Sequence, residues 1–148
     1  MNKTAIFPGS FDPFTKGHFN VVMRALHVFD KIIIAIGENT AKTRCFPVEK
    51  SMIEIRNVFR RNRKISVESY QNLTVDFMKK KKIKFMIRGL RNTTDFEFEK
   101  SVSQMNKILY PEIETIFIIT DPTLAQISST IVRDIYNNGG DIKEFLPS

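Results

Sequence analysis

The chain has 148 residues, 42% hydrophobic and 26% charged, a balance that excludes a disordered protein and is typical of a globular one. This length is within the usual size of one domain, and we expect residues 1–148 to form a single domain. The formal net charge of +7 suits either a nucleic-acid-binding protein or one that binds small polyphosphates.

The single cysteine and the apolar runs bear on the compartment. Cys45 alone excludes an internal disulfide framework and fits a reducing environment. The first apolar run reaches a turn by Pro8, which leaves no space for the core of a signal peptide, and no run approaches the ~20 residues of a membrane span. We therefore expect a cytoplasmic protein.

Apolar runs alternate with helical patterns along the whole chain. The predicted strands are 4–7, 32–37, 65–69, 84–88 and 114–120, several of them nearly continuous in Ile, Val and Phe, as expected for strands covered on both faces. Four helices are predicted between and after the strands, because apolar residues recur there at helical spacing. Their apolar positions are Phe19, Val22, Met23 and Leu26; Val48, Met52, Ile55 and Phe59; Phe98, Val102, Met105 and Leu109; and Ile127, Ile131 and Ile135. A further helix is predicted over 72–80, capped by Asn72 or Thr74. The alternation predicts an α/β fold, a Rossmann-like doubly wound five-stranded parallel sheet with helices on both faces.

Sheets of this kind bind ligands beyond the carboxyl ends of their strands, where the strand order reverses. The residues that follow four of the five strands are hydroxyls, cations and an imidazole: Ser10 and His18, Lys42 and Arg44, Arg88 and Arg91, and then Ser128, Ser129 and Thr130. They include no carboxylate pair and no thiol nucleophile. This edge of the sheet is therefore predicted to bind anions.

Two segments refine that prediction. In "TKGH" (15–18), Gly17 lets the backbone approach a ligand at a helix start, where free N–H groups suit a phosphate, and His18 can donate a hydrogen bond there. The plainer alternative is a turn glycine and an exposed histidine. In "ISSTIVR" (127–133), one hydroxyl is expected to be an N-cap, and the other two have no structural explanation at this level.

Several site types are not indicated. Two His and one Cys without zinc spacing predict no metal ligands from the protein, and P-loop and G-x-S-x-G motifs are absent from the sequence. The basic stretches 56–64 and 79–84 leave open a nucleic-acid-binding module, although few aromatic residues are interleaved with them and the post-strand residues would then go unexplained.

The segments "FPGSFDPFTKGH", "IRGLRNTTDFEFE", "ISSTIVRDI" and "GGDIKEFLP" together resemble the phosphopantetheine adenylyltransferases, a family of the nucleotidyltransferase superfamily that acts in coenzyme A synthesis. The first-loop signature is shared with other cytidylyl- and adenylyltransferases, so an enzyme acting on nicotinamide mononucleotide or glycerol phosphate is the alternative. The R-G-L-R segment followed by D-F-E-x-E narrows the resemblance to this family.

The resemblance implies a role for each matching residue. The expected catalytic set is His18, which stabilises the transition state, with Lys42, Arg88 and Arg91. Phosphopantetheine is expected at Ser10, Lys42, Thr74 and Arg88. The positions implied to bind ATP are Ser10, Phe11, His18, Gly89, Leu90, Arg91, Glu99, Leu124, Ala125, Gln126, Ile127, Ser128, Ser129 and Thr130.

The implied reaction is the transfer of the adenylyl group of ATP to 4′-phosphopantetheine, without a covalent enzyme intermediate and with Mg²⁺ as cofactor. A phosphomonoester is largely ionised near neutral pH because its second pKa is about 6, so no protein base is required. The resemblance also implies a homohexamer. Neither a nucleic acid nor a membrane is expected as partner.

Overall fold

A computed structural model describes residues 2–148 of the chain. Its elements are β1 (Thr4–Gly9), α1 (Lys16–Ala25), β2 (Lys31–Glu38), α2 (Val48–Val58), β3 (Ile65–Gln71), α3 (Thr74–Lys81), β4 (Phe85–Leu90), α4 (Thr93–Leu109), β5 (Glu114–Ile119), a 3₁₀ turn at Pro122–Leu124, α5 (Ser129–Asn137) and a second 3₁₀ turn at Lys143–Phe145. The first four strands extend one or two residues beyond their predicted carboxyl ends.

The strands form one parallel sheet in the order β3-β2-β1-β4-β5. The chain builds outwards from β1 to β3 on one side, then crosses over to place β4 and β5 on the other. The predicted Rossmann-like doubly wound sheet is therefore confirmed, and the strand order reverses at β1.

Apolar side chains alternate between the two faces of the sheet, as the period of two in a strand requires. In β1, Ala5 and Phe7 pack into the cluster formed with α1 and α2, whereas Ile6 packs into the cluster formed with α3. Both faces of the central strands are covered, which accounts for their nearly continuous apolar sequence.

Strands β1 and β4 separate at their carboxyl ends, and this opening positions the site. Strand β1 pairs with β2 along its whole length, from Thr4 to Gly9. With β4 it pairs only at Ala5 and Ile6, opposite Phe85 and Met86. Beyond those pairs the backbones no longer form a ladder, at the place where the strand order reverses.

The predicted cap of helix α3 is wrong. Leu73 occupies the N-cap position without a side-chain hydrogen bond. Asn72 has a φ of 69°, which belongs to the left-handed region. Thr74 is the first residue of the helix, and its hydroxyl is hydrogen-bonded to Tyr70 instead. The hydroxyl that the pattern assigns to capping is thus bonded to a side chain four residues earlier.

Helix α4 forms as predicted, but much of its apolar stripe faces outwards. Phe98 and Met105 are 67% and 61% exposed, and Ile108 beside them is 72% exposed. Ile119, at the end of the edge strand β5, adds to the exposed apolar surface. None of the helices within residues 2–148 combines the length and the apolar character that crossing a bilayer demands.

Candidate functional site

Two clefts open at the carboxyl edge of the sheet and share one wall. The first cleft, of about 240 Å³, lies between the end of β1, the start of α1, the end of β4 and the start of α5. The second cleft, of about 300 Å³, lies between the ends of β1 and β3, the start of α3 and helix α4. The residues that line both clefts are Pro8, Gly9, Ser10 and Arg88.

The structure brings together most of the residues that the sequence singled out. Those in the first cleft are Ser10, Phe11, His18, Arg88, Gly89, Arg91, Ile127, Ser128, Ser129 and Thr130. Those in the second cleft are Ser10, Thr74, Arg88 and Glu99. Neither cleft is lined by Lys42, Leu90, Leu124, Ala125 or Gln126. Lys42 is exposed in the loop between β2 and α2, so its role and those of the other four stay predictions.

Among residues 2–148, Arg88 is the one cation that lines both clefts. Its Nε and Nη2 donate to the two carboxylate oxygens of Glu99, at 2.9 and 2.6 Å, and its Nη1 donates to the carbonyl oxygen of Pro8. These bonds engage three of the five N–H hydrogens of the guanidinium group and leave two for a ligand. Because Pro8 lies on β1 and Arg88 on β4, this contact bridges the two strands where their ladder has ended.

Glu99 therefore lies against Arg88 in the second cleft, and it does not line the first. Its carboxylate is buried and paired with the guanidinium in a two-point contact, the geometry that favours arginine over lysine. Arg91 is paired in a similar way with Asp95, one helical turn further on, at 3.1 Å.

The orientation of His18 is fixed by the first turn of α1. Thr15 is the N-cap, and its backbone N–H donates to Nδ1 of His18 at 2.9 Å, while the backbone N–H of His18 faces the Thr15 hydroxyl oxygen at 3.4 Å. This is a capping box with histidine in the place of the usual glutamate or glutamine. Because a backbone N–H can only donate, Nδ1 is unprotonated and the neutral ring carries its hydrogen on Nε2.

The surroundings of His18 keep its ring neutral. The ring packs against Phe11 and Phe14, with centroids 5.0 and 5.4 Å away. Burial, together with the positive charges of Arg88 and Arg91, lowers the pKa of His18 to about 3. At neutral pH His18 is therefore an uncharged hydrogen-bond donor.

The three hydroxyls at the start of α5 all have protein partners. Ser128 is the N-cap and accepts from the N–H of Ile131, Ser129 donates to the carbonyl of Pro13, and Thr130 accepts from Arg133. The interpretation that two of them lack a structural explanation is wrong, because their partners are tertiary or depend on helix geometry. They still line the first cleft.

The loop between β1 and α1 is held in place by buried polar contacts. The carboxylate of Asp12 accepts from the backbone N–H groups of Cys45 and Phe46, both at 2.8 Å. Arg44 donates to the carbonyl of Ser10, and Arg133 to that of Asp12. The sequence predicts that Arg44 faces an anion, but Arg44 lines neither cleft and instead stabilises the loop that carries Ser10.

Sequence reasoning missed several lining residues. Thr15 and Thr120 line the first cleft, and Tyr70, Asn106 and Thr115 line the second. Tyr70 could have been found, because it follows the predicted third strand and the rule for carboxyl ends applies to that strand as well. Asn106 and Thr115 lie inside a helix and a strand, where no local signal marks them.

The first cleft is suited to a polyphosphate. Arg88 and Arg91 supply charge, His18 supplies a neutral donor, and the starts of helices α1 and α5 supply free backbone N–H groups. The second cleft joins it at Arg88 and continues between apolar side chains such as Met86 and Val102. The arrangement can bring two phosphorylated molecules together at their phosphates.

The chain is similar in sequence to one known family and to several named proteins. A family model described as cytidylyltransferase-like matches residues 6–135. A protein of Cytophaga hutchinsonii named phosphopantetheine adenylyltransferase is 52% identical, over 99% of this chain and 98% of that protein. Proteins of the same name from Bacteroides thetaiotaomicron and Lawsonia intracellularis are 47% and 44% identical, each over 98% of this chain and over 95% and 84% of their own lengths.

A solved structure shares the fold at much lower identity. It is a bifunctional NMN adenylyltransferase/ADP ribose pyrophosphatase from Francisella tularensis, with a TM-score of 0.76 and 21% identity. The match covers 100% of this chain and 46% of that one, so this chain spans about half the length of the bifunctional protein.

The pKa of His18 gives a pH prediction. As the pH falls, the unfolded chain takes up the histidine proton near 6.5, whereas the folded chain does so near 3, so protonation costs folding stability across that range and contributes nothing above it. We expect long-range ¹H–¹⁵N NMR spectra to show a neutral ring of His18, protonated at Nε2, from neutral pH down to about pH 4.

The control is the His27→Asn variant, which removes the exposed second histidine and leaves one imidazole to assign. A doubly protonated His18 ring at pH 5.5 in the folded protein would contradict the assignment.

Proposed function

The chain belongs to the cytidylyltransferase-like family and, within it, to the phosphopantetheine adenylyltransferases, and from this premise we propose that it transfers the adenylyl group of ATP to 4′-phosphopantetheine. The products are dephospho-coenzyme A and pyrophosphate. The observation that carries the proposal is the pair of clefts with a common wall at Ser10 and Arg88. One cleft is charged and takes the triphosphate, and the other is largely apolar and takes the pantetheine arm.

The reaction proceeds by direct attack at the α-phosphorus. An oxygen of the phosphopantetheine phosphate, already ionised near neutral pH, forms a bond to that phosphorus, and the bond to the oxygen that bridges to the β-phosphorus breaks. The bond electrons and the negative charge leave with pyrophosphate. In the part of the chain that the structure describes, the one carboxylate lining the clefts is that of Glu99. It is engaged by Arg88 and serves neither as base nor as nucleophile.

The protein contributes by positioning the two substrates and by stabilising the negative charge that develops on the phosphates. The two free N–H groups of Arg88 hold the acceptor phosphate beside the first cleft, and Arg91 faces the ATP phosphates. His18, held in its Nε2–H form, donates to an oxygen of the α-phosphate as negative charge develops there. A neutral donor suits this task because it needs no proton exchange during the reaction.

Mg²⁺ is proposed as part of the ATP substrate. No group of three or more His, Cys, Asp or Glu side chains within residues 2–148 is placed to hold a metal ion. The first cleft offers cations, hydroxyls and amides, whereas Mg²⁺ prefers carboxylate and phosphate oxygens. We therefore expect the ion to arrive bound to the phosphates of ATP and to water.

The proposal extends to the cytoplasm, where ATP is available as the adenylyl donor. The free thiol of Cys45 is compatible with that reducing compartment.

We also propose that the chain assembles as a homohexamer. The support is the exposed apolar side chains of Phe98, Met105 and Ile108 on α4. Apolar area of this kind on a soluble enzyme is typical of an interface between subunits.

The activity itself is tested by pyrophosphate release. With ATP, the purified chain should turn over 4′-phosphopantetheine and neither nicotinamide mononucleotide nor glycerol phosphate. The His18→Ala variant should lose roughly 10²–10³-fold in kcat with little change in either KM, because a donor that acts in the transition state is removed.

His27→Ala is the matched control, since His27 is exposed and lines neither cleft. Full turnover by His18→Ala would remove that residue from the mechanism. Turnover of another acceptor in preference to phosphopantetheine would overturn the proposed function.

The Arg88→Ala variant should raise KM for phosphopantetheine by about 10-fold or more, and raise it more than KM for ATP. The acceptor phosphate loses the two free N–H donors of Arg88. In addition, Glu99 loses its partner, so a bare carboxylate then faces the second cleft and repels the acceptor phosphate. Steady-state kinetics with each substrate varied in turn separate the two constants.

The control for that explanation is the double variant Arg88→Ala/Glu99→Ala, which removes the unpaired carboxylate and should recover part of the lost affinity. Equal effects of Arg88→Ala on both KM values would show that Arg88 does not bind the acceptor phosphate.

The assembly is tested by substituting Met105 and Ile108 with lysine. Light scattering should show a hexamer for the wild-type chain and a smaller species for the double variant, because two charges would be buried in the interface. Val28→Lys, at an exposed apolar position outside α4, should leave the mass unchanged. A monomeric wild-type chain would contradict the proposal.

A further inference from the structure

A pair of hydroxyls in the second cleft has no role in the mechanism above. Tyr70 Oη and Thr74 Oγ1 lie 2.7 Å apart, and both residues line that cleft. We propose that this pair binds a secondary amide of the pantetheine arm and so selects phosphorylated acceptors that carry an amide. The inference rests on the proposed function and adds Tyr70 to the residues that bind the acceptor.

The position of the Tyr70 hydroxyl depends on Gly37. A Cβ atom at position 37 would lie 3.1 Å from the Tyr70 oxygen and 3.3 Å from the ring carbon that carries it. On the ring of Tyr70, Phe77 stacks with a centroid distance of 5.0 Å and an angle of 17° between the planes. The ring is thus supported by Phe77, and the hydroxyl occupies space that a side chain at 37 would take.

The pair has the hydrogen-bonding capacity that one secondary amide needs. Whichever hydroxyl donates to the other, one O–H hydrogen stays free, and each oxygen keeps lone-pair capacity. The free hydrogen can bond to an amide carbonyl, and an oxygen can accept from the amide N–H. Burial raises the pKa of Tyr70 from its ordinary value, against smaller opposing effects of Thr74 and Arg88, so the phenol stays protonated at neutral pH.

The apolar walls of the second cleft make a hydrogen-bonding partner necessary for a bound amide. Met86, Phe98 and Val102 give it apolar walls, and an amide taken from water into such surroundings is destabilised unless its N–H and C=O find partners. The hydroxyl pair of Tyr70 and Thr74 supplies such partners between these walls.

The position of Arg88 in the same cleft fits this assignment. Arg88 and the hydroxyl pair line one continuous cleft, and the charge of Arg88 acts on the Tyr70 phenol. An acceptor whose phosphate is held by Arg88 would extend its arm along this cleft, past the end of β3 and the start of α3, where the pair lies.

The test is the kinetics of Tyr70→Phe, which removes the hydroxyl and keeps the stacked ring. We expect KM for phosphopantetheine to rise about 5- to 15-fold, with kcat and KM for ATP changed by less than about twofold. Thr74→Val should have a similar effect. The double variant should be little worse than either single one, because the two hydroxyls act as a unit.

Tyr110→Phe is the matched control, since it loses the same hydroxyl from a buried tyrosine that lines neither cleft. An unchanged KM for phosphopantetheine in Tyr70→Phe, or equal changes in both KM values, would overturn the inference. Strictly additive effects of the two substitutions would also overturn it. A wild-type chain that releases no pyrophosphate with phosphopantetheine overturns the proposed function instead, so the two failures are distinguishable.

Discussion

The contact of Arg88 with Glu99 and with the carbonyl of Pro8 is the constraint on which the rest of the site depends. The fold creates the need for it, because β1 and β4 are neighbours only through two residue pairs before they separate. Arg88 then spans the gap and lines both clefts. Since three of its N–H groups are engaged by the protein, the protein contacts orient the guanidinium group, and the direction of the remaining two N–H groups does not depend on the ligand. A flexible cation at this place would hold a phosphate without fixing the line of attack.

The polar residues around the first loop divide into those that hold the scaffold and those left for a ligand. Asp12, Arg44 and Arg133 are engaged with backbone groups and fix the path from β1 to α1. That path ends at Thr15, whose backbone N–H sets the tautomer of His18. Burial and neighbouring charge, which lower the pKa of the ring, then make His18 a donor that stays neutral through the working range of pH. The tautomer and the protonation state of His18 are thus set by groups outside its own imidazole ring.

The sequence predicts the fold and the edge that carries the site, because strand and helix periods are local and the carboxyl-end rule is general. It does not predict which polar groups meet. Ser129 bonds to Pro13 from 116 positions away, and Glu99 meets Arg88 from the next helix, so neither contact has a local signal. The same limit applies to α4: the spacing of Phe98 and Met105 predicts a helix with an apolar face but not what covers it. At Thr74 a local signal exists but is wrong: the sequence pattern predicts a capping hydroxyl, and that hydroxyl is hydrogen-bonded to Tyr70 instead.

The most direct measurement is a crystal structure of the chain with dephospho-coenzyme A, the product that joins both substrates. The account predicts that the diphosphate lies against Arg88 at the common wall, with the adenosine part in the first cleft and the pantetheine arm in the second. A product whose diphosphate is remote from Arg88, or whose two halves both occupy one cleft, would contradict it.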